Sequence, residues 1–156
     1  MTVIVWDGVS LVADKQATDG GMTRTVTKVK KITKGKFKGY LMGGSGPCSS
    51  ANAVMLWFEA GAKESEFPKH QDDEELGAVL TVISPTKQIL RYEYSHVPIV
   101  FEDKWYCTGS GREFAYGALA MGADARRAAA VACEFSAECG MGLDEVFLVD
   151  PKRRKK

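Results

Sequence analysis

Thr2 is the residue of this chain whose type and place allow the most chemistry. A threonine hydroxyl is a poor nucleophile at neutral pH. It becomes a good one when the threonine's own α-amine is free to take its proton. Removal of Met1 would free that amine, and a small second residue favours such removal. Thr2 opens a strand, Thr2-Val3-Ile4-Val5-Trp6, that turns at Asp7-Gly8 and returns through Leu11-Val12-Ala13 to a carboxylate, Asp14. One reading is a nucleophile carried on a strand beside an acidic residue. The other is a β-branched residue that merely starts a strand.

Other chemistry has fewer residues to work with. Four cysteines occur, Cys48, Cys107, Cys133 and Cys139. None forms a C-x-x-C pair, and the two histidines are remote from them in sequence, so no metal or other cofactor is expected. Free thiols without a leader segment suggest a reducing cytoplasm. The longest apolar stretch is far too short to cross a bilayer, so no membrane partner is expected. Lys and Arg number 21 against 20 Asp and Glu, a net charge of +1. Such a balance gives no overall field that would argue for nucleic acid. The basic residues do cluster, between Lys28 and Lys38 and in the tail Lys152-Arg153-Arg154-Lys155-Lys156. The tail reads as a solvated end.

The elements that must position Thr2 are legible in outline. A length of 156 residues suits one domain, here 1–150 followed by the basic tail 151–156. Thr2 to Trp6 and Leu11 to Gln16 read as a hairpin. Thr18-Asp19-Gly20-Gly21 reads as a loop, Thr25 to Thr33 as a strand, and Lys34-Gly35-Lys36 as a turn. Tyr40-Leu41-Met42 is a short strand running into Gly43-Gly44-Ser45-Gly46-Pro47. A helix follows, with Ser49 or Ser50 as its cap and Ala53, Val54, Leu56, Trp57 and Ala60 in its body. Phe67 to Glu75 is polar and reads as loop. Leu80 to Ser84 and Gln88 to Tyr94 flank a Pro85-Thr86-Lys87 turn. Val97 to Phe101 carries Pro98, which marks a short or edge strand. Trp105 to Thr108 enters Gly109-Ser110-Gly111. Helices at Glu113 to Met121 and Ala125 to Glu138, the second capped by Asp124, precede a last strand at Val146 to Val149. This order fits an α+β fold, a four-layer αββα sandwich of two antiparallel sheets flanked by helices.

Four blocks of sequence then resemble one family, the proteasome β-subunits and HslV-type peptidases, which are N-terminal-nucleophile (Ntn) threonine hydrolases. Thr2 with Ala13-Asp14-Lys15-Gln16-Ala17-Thr18 is similar to the family's opening strand and its return. The hairpin here is a few residues shorter than in most proteasome subunits. Lys28-Val29-Lys30-Lys31-Ile32 resembles the strand whose first lysine sits beside the nucleophile. Met42-Gly43-Gly44-Ser45-Gly46 resembles the glycine-rich segment before the first helix. Cys107-Thr108-Gly109-Ser110-Gly111 through Gly117 resembles the stretch that enters the later helices. The short chain suits a compact bacterial or phage-like member.

The resemblance implies roles. Thr2 is the nucleophile once Met1 is removed, and its freed amine moves the proton. Lys28 lies against the hydroxyl, Asp14 pairs with Lys28, and Ser110 hydrogen-bonds the amine. The Gly46 N–H holds the oxyanion. Thr18 binds the substrate backbone, and Gly44 floors the pocket for the residue before the cut. Asp14 and Lys28 also fit an ordinary ion pair between strands, and a one-residue slip would bring Lys31 forward instead. Ser110 and Gly46 also fit plain turns.

One departure stands out. Where the family carries an aspartate and a serine after its long helix, this chain has Ser136 and Cys139. Ser136 donates and accepts hydrogen bonds but supplies no negative charge, and Cys139 is a weak partner. The resemblance further implies self-assembly into a stacked double ring of six or seven subunits per layer, polypeptide substrates, and an ATP-dependent unfoldase as a further partner. Trp57 and Phe58 fit either a subunit interface or plain core packing. The function expected is threonine-type endopeptidase. A catalytically inactive ring subunit and an amidase acting on a small-molecule amide are the alternatives, since one fold hosts several chemistries.

Overall fold

The computed structural model describes residues 2–68 and 77–151. Met1, part of the polar stretch expected as loop, and the basic tail at 152–156 lie outside them.

Among the described residues, eleven strands and three α-helices follow in chain order. The first half holds β1 (Ile4–Trp6), β2 (Ser10–Asp14), β3 (Gln16–Asp19), β4 (Met22–Thr25), β5 (Val29–Lys31), β6 (Leu41–Ser45) and α1 (Cys48–Glu59). The second holds β7 (Val79–Ile83), β8 (Ile89–Tyr92), β9 (Ile99–Phe101), β10 (Tyr106–Thr108), α2 (Arg112–Ala120), α3 (Ala125–Phe135) and β11 (Leu143–Phe147). One antiparallel sheet runs β10-β1-β2-β11 and the other β5-β6-β7-β8-β9.

Alternation along the strands builds the layers. In β1, Ile4 and Trp6 point between the sheets, while Val5 points toward α2 and α3. Ile4, Trp6, Leu11 and Ala13 from the first sheet meet Val29, Leu41, Ile83 and Ile89 from the second. On the first sheet's outer face α3 lays a stripe of Ala125, Ala128, Ala129 and Ala132, all fully buried. Methyl side chains at that spacing let the helix lie close to the sheet. On the other outer face α1 buries Ala51, Val54, Met55, Trp57 and Phe58. Trp57 and Phe58 are therefore core, not interface. The Phe37 ring stacks on Phe58 with centroids 4.2 Å apart, and Trp57 meets Tyr92 edge-on at 5.4 Å. This is the expected αββα sandwich.

Several details depart from the sequence reading. The loop expected at Thr18 to Gly21 lies within a hairpin, β3–β4, turning at Gly20-Gly21, where both glycines have positive φ. Its strand β4 is exposed throughout, so no alternation of apolar residues marks it. The strand expected over Thr25 to Thr33 contracts to Val29–Lys31. Gly43 and Gly44 belong to β6, which runs past the expected strand end at Met42 to Ser45. A methyl at Gly43 would stand 2.9 Å from Val29 Cγ1, and one at Gly44 2.9 Å from Met55 Sδ. These glycines serve close approach on both faces of the strand. Helix α1 starts earlier than expected, with Pro47 at its N-cap and no side-chain cap, so Ser49 and Ser50 lie inside it. Helix α3 stops at Phe135, because Ser136 is already extended.

The first hairpin is tied to α3 by Asp7. Its Oδ1 accepts from the N–H groups of Val9 and Ser10 at 2.8 and 2.9 Å. Its Oδ2 accepts from the Ala125 N–H at 2.9 Å. Asp124 accepts from the Arg127 N–H, so two carboxylates serve the first turn of α3.

Candidate active site

Asp14 ends β2 and is fully buried. A carboxylate without water must be met by donors, and five reach it. Oδ1 accepts from the Thr2 hydroxyl at 2.8 Å, the Val3 N–H at 2.9 Å and the Lys28 ammonium at 2.8 Å. Oδ2 accepts from the N–H groups of Gln16 at 3.0 Å and Gly140 at 3.1 Å. Thr2 is 2 % and Lys28 7 % exposed, so the whole cluster is withdrawn from water. The hydroxyl and the ammonium each sit one hydrogen bond from the same oxygen.

Lys28 arrives on the extended segment before β5, whose position is fixed by the Gly44 N–H donating to the Lys28 carbonyl at 3.0 Å. Lys31 goes elsewhere. Its ammonium donates to the Phe147 and Leu148 carbonyls at 2.9 and 2.7 Å. The strand register thus brings Lys28, and not Lys31, to Asp14.

The turn between β10 and α2 holds the backbone of Thr2. The Thr2 N–H donates to Ser110 Oγ at 3.1 Å, and the Gly111 N–H donates to the Thr2 carbonyl at 3.1 Å. Gly109 has φ +91°, and a methyl there would stand 2.3 Å from the Thr2 carbonyl oxygen. Only glycine fits that contact.

Beyond the turn, the Cys139 thiol is buried with the hydroxyls of Ser110 and Ser136 against it. Burial first, and then the Asp14 carboxylate, push this thiol up from its ordinary value, which keeps it neutral. Ser136 is the C-cap residue of α3, and its Oγ also accepts from the Glu138 N–H at 3.3 Å. The loop carrying Gly140 is pinned by Gln16, whose Nε2 donates to the Ala137 carbonyl at 3.0 Å.

A cavity of about 60 Å³ opens beside Thr2 and Lys28. Gly44, Ser45 and Gly46 form one wall, Val26 and Thr27 another, and α1 a third. Gly46 has φ +101°, and a methyl there would stand 2.9 Å from the Gly77 carbonyl oxygen. The sequence-predicted residues Thr2, Asp14, Lys28 and Ser110 therefore form one connected cluster. Gly44 and Gly46 share the cavity with Thr2 and Lys28. Thr18 lies on the exposed end of β3 and does not line that cavity. The sequence reading missed Gln16 and Gly140, which act through backbone N–H groups that no side chain advertises. It also missed Cys48, Asn52 and Met55, although their spacing on α1 marks one helix face.

No protein-family model matches the sequence, and no curated protein matches it. Solved structures do. HslV from Trypanosoma brucei superposes with a TM-score of 0.66 at 23% identity, over 94% of this chain and 98% of that one. BPH from Thiobacillus denitrificans, in complex with epoxomicin, gives 0.64 at 19% identity, over 96% of this chain and 100% of that one. A further BPH structure gives 0.62 at 19% identity, over 94% and 96%. The chain has the αββα Ntn-hydrolase fold of HslV and BPH.

Proposed function

We propose that this chain is a threonine-type endopeptidase subunit of a self-compartmentalising, proteasome-like ring. The observation that carries this reading is the convergence of the Thr2 hydroxyl and the Lys28 ammonium on one buried oxygen of Asp14, at the edge of an open cavity.

Loss of Met1 frees the Thr2 amine. Thr2 Oγ attacks the peptide carbonyl carbon, and its proton passes to that amine, directly or through a water. Lys28 favours the developing alkoxide by its charge, and Asp14 holds Lys28 in place. The carbonyl's π electrons move to its oxygen, to which the Gly46 N–H donates a hydrogen bond. Collapse breaks the C–N bond, the departing amine takes the proton, and an ester to Thr2 remains. Water then gives a proton to the Thr2 amine, attacks the ester and restores the hydroxyl. Ser110 hydrogen-bonds the amine, and Thr18 on β3 bonds the substrate backbone. Ser136 and Cys139 support Ser110 from behind.

The likeness to HslV and BPH supports polypeptide substrates and a stacked double ring of six or seven subunits per layer. An ATP-driven unfoldase and a cytoplasmic setting belong to the same proposal. One observation favours a second reading, a ring subunit without catalysis. The group behind Ser110 is a buried neutral thiol, a weak hydrogen-bond donor.

The test is intact mass with and without epoxomicin, a peptide epoxyketone that needs both the hydroxyl and the free amine of an N-terminal threonine. The proposal expects loss of Met1 and a one-to-one adduct, absent from Thr2→Ala. Retained Met1 without an adduct would refute the endopeptidase and leave the second reading.

A further inference from the structure

Thr2 is held from two sides. Asp14, itself bonded to Lys28, meets its hydroxyl. The turn at Ser110-Gly111 meets its nitrogen and its carbonyl. These two supports lie far apart in sequence, and the loop at 136–142, between α3 and β11, touches both. Its Gly140 N–H donates to Asp14 Oδ2 at 3.1 Å. Its Cys139 is 4 % exposed and packs against the turn, where a methyl on Gly111 would stand 2.8 Å from the sulfur. The Ser110 hydroxyl lies against the same thiol. Cys139 and Gly140 are neighbours in the chain, so any shift of the loop disturbs both supports of Thr2 together.

The loop is tied to the start of β3 in two ways. One is main chain: the Lys15 N–H donates to the carbonyls of Gly140 and Gly142 at 3.0 and 3.1 Å. The other is the side chain of Gln16, which is 9 % exposed. Its Nε2 donates to the Ala137 carbonyl at 3.0 Å. Its Oε1 takes the space of a side chain at Gly140, since a methyl there would stand 2.8 Å from it. The amide therefore spans the loop on both sides of Cys139. The N–H of the same residue donates to Asp14 Oδ2 at 3.0 Å. Gln16 does not line the cavity beside Thr2, so contact with a substrate is not its part.

We propose that the Gln16 amide is a positioning residue for Thr2. It fixes the loop so that the Asp14 side and the Ser110 side of the site keep one separation across the nucleophile. The inference rests on the reading of Thr2 as nucleophile for its effect on rate. Its effect on the turn is separable from that reading.

The experiment uses Gln16→Met, which keeps the length of the side chain and removes its donor and its acceptor. Epoxomicin adduct formation, followed by intact mass at several concentrations, gives a maximal rate and a half-saturating concentration. Amide exchange is read by mass spectrometry in segments spanning Gly111 and Gly140. The maximal rate should fall about ten- to a hundredfold, because a misplacement of about 1 Å costs on the order of a hundredfold. The half-saturating concentration should stay within about twofold. Exchange should quicken in both segments, at least about tenfold. Ser84→Ala is the control for stability alone. It removes the hydroxyl that accepts from the Gln88 N–H at 3.0 Å, beyond the end of β7 remote from Val79, and should change none of these readings. Gly140→Ala, whose methyl would press on Gln16 Oε1, should act as Gln16→Met does and stands in if that variant does not fold. An unchanged maximal rate, a loss shared by Ser84→Ala, or exchange that quickens at Gly140 and not at Gly111 would overturn the inference. A wild-type protein that forms no adduct would sink the nucleophile, and exchange at Gly111 would then decide by itself whether Gln16 positions the turn.

Discussion

Replacement of Asp14 by Asn tests the site as a structural unit. The amide has the carboxylate's shape but only one acceptor. With its oxygen in the Oδ1 position it still meets Thr2, Val3 and Lys28. Its NH2 then faces the N–H groups of Gln16 and Gly140, donor against donor. The opposite orientation is worse, with NH2 against an ammonium, an N–H and a hydroxyl. Two orphaned donors cost about 1–3 kcal/mol each. Lys28, only 8 % exposed in its side chain, also loses its opposite charge. Removing one partner of a buried pair costs about 3–5 kcal/mol. These contributions overlap, and about 5 kcal/mol is the working figure. Against a typical stability of about 5–15 kcal/mol, that is a third or more. For a chain of this length it corresponds to a fall in Tm of about 10–20 °C.

The assay is urea unfolding of Asp14→Asn beside Lys28→Met. The methionine removes the charge but leaves Asp14 with four of its five donors, so Lys28→Met should cost clearly less. The double variant should cost less than the sum of the two. A loss below about 1 kcal/mol for Asp14→Asn, the value of an exposed pair, would refute the reasoning. So would Lys28→Met proving the more damaging of the two.

Other perturbations separate the parts. On the proposed function, Ser110→Ala should lower the rate of peptide cleavage about a hundredfold with little change in Tm, because Ser110 is only half-buried and serves the Thr2 nitrogen; peptide kinetics and a melt decide it. Gly109→Ala combines φ +91° with a methyl 2.3 Å from a backbone oxygen, and should cost more than about 3 kcal/mol in urea unfolding. Asp7→Ala removes a carboxylate that accepts from three backbone N–H groups, two within the first hairpin and one at the start of α3, and should cost about 1–2 kcal/mol. Burial pushes the Cys107 thiol up to about 12 from 9.0. The fold therefore keeps that proton where the unfolded chain loses it. This contribution to stability is fully present below pH 9 and declines toward pH 12, by about 1.4 kcal/mol per pH unit. Cys107→Ala should flatten the fall in urea midpoint between pH 8 and pH 10.5.

The parts of the fold legible in sequence were those that bury apolar side chains. β1 and β2 are short apolar runs, buried on both faces, around a turn that Asp7-Gly8 announces, and α3 carries its cap, Asp124, next to its first residue. The β3–β4 hairpin left no such trace, because it exposes all of β4 and the second half of β3. Gly43 and Gly44 misled for the opposite reason. Glycine in a strand and glycine in a loop look alike in sequence, and only the neighbours Val29, Ile4 and Met55 reveal that these two mark close contacts. At the site, Thr2, Asp14, Lys28 and Ser110 were nameable because side chains carry their chemistry. Gln16 and Gly140 contribute through the main chain, which every residue shares. Lys28 and Lys31 were separated by register alone, and register is a property of the folded sheet.

An ordinary ion pair between strands was the bland reading of Asp14 and Lys28. Such a pair lies at a surface, needs one contact, and changes stability little when removed. The pair found here is buried, and the five donors to Asp14 come from separate parts of the chain: the opening strand, the start of β3, the segment before β5, and the loop after α3. A buried carboxylate is tolerable only when all of these are in place, so the cluster completes itself only as the sandwich closes. Among groups competing for Asp14, the Thr2 hydroxyl is the one that contributes least to satisfying the charge. A backbone donor would do as well there. What the hydroxyl gains from the arrangement is a fixed place beside an ammonium and an open cavity, and that is a requirement of nucleophilic chemistry rather than of folding.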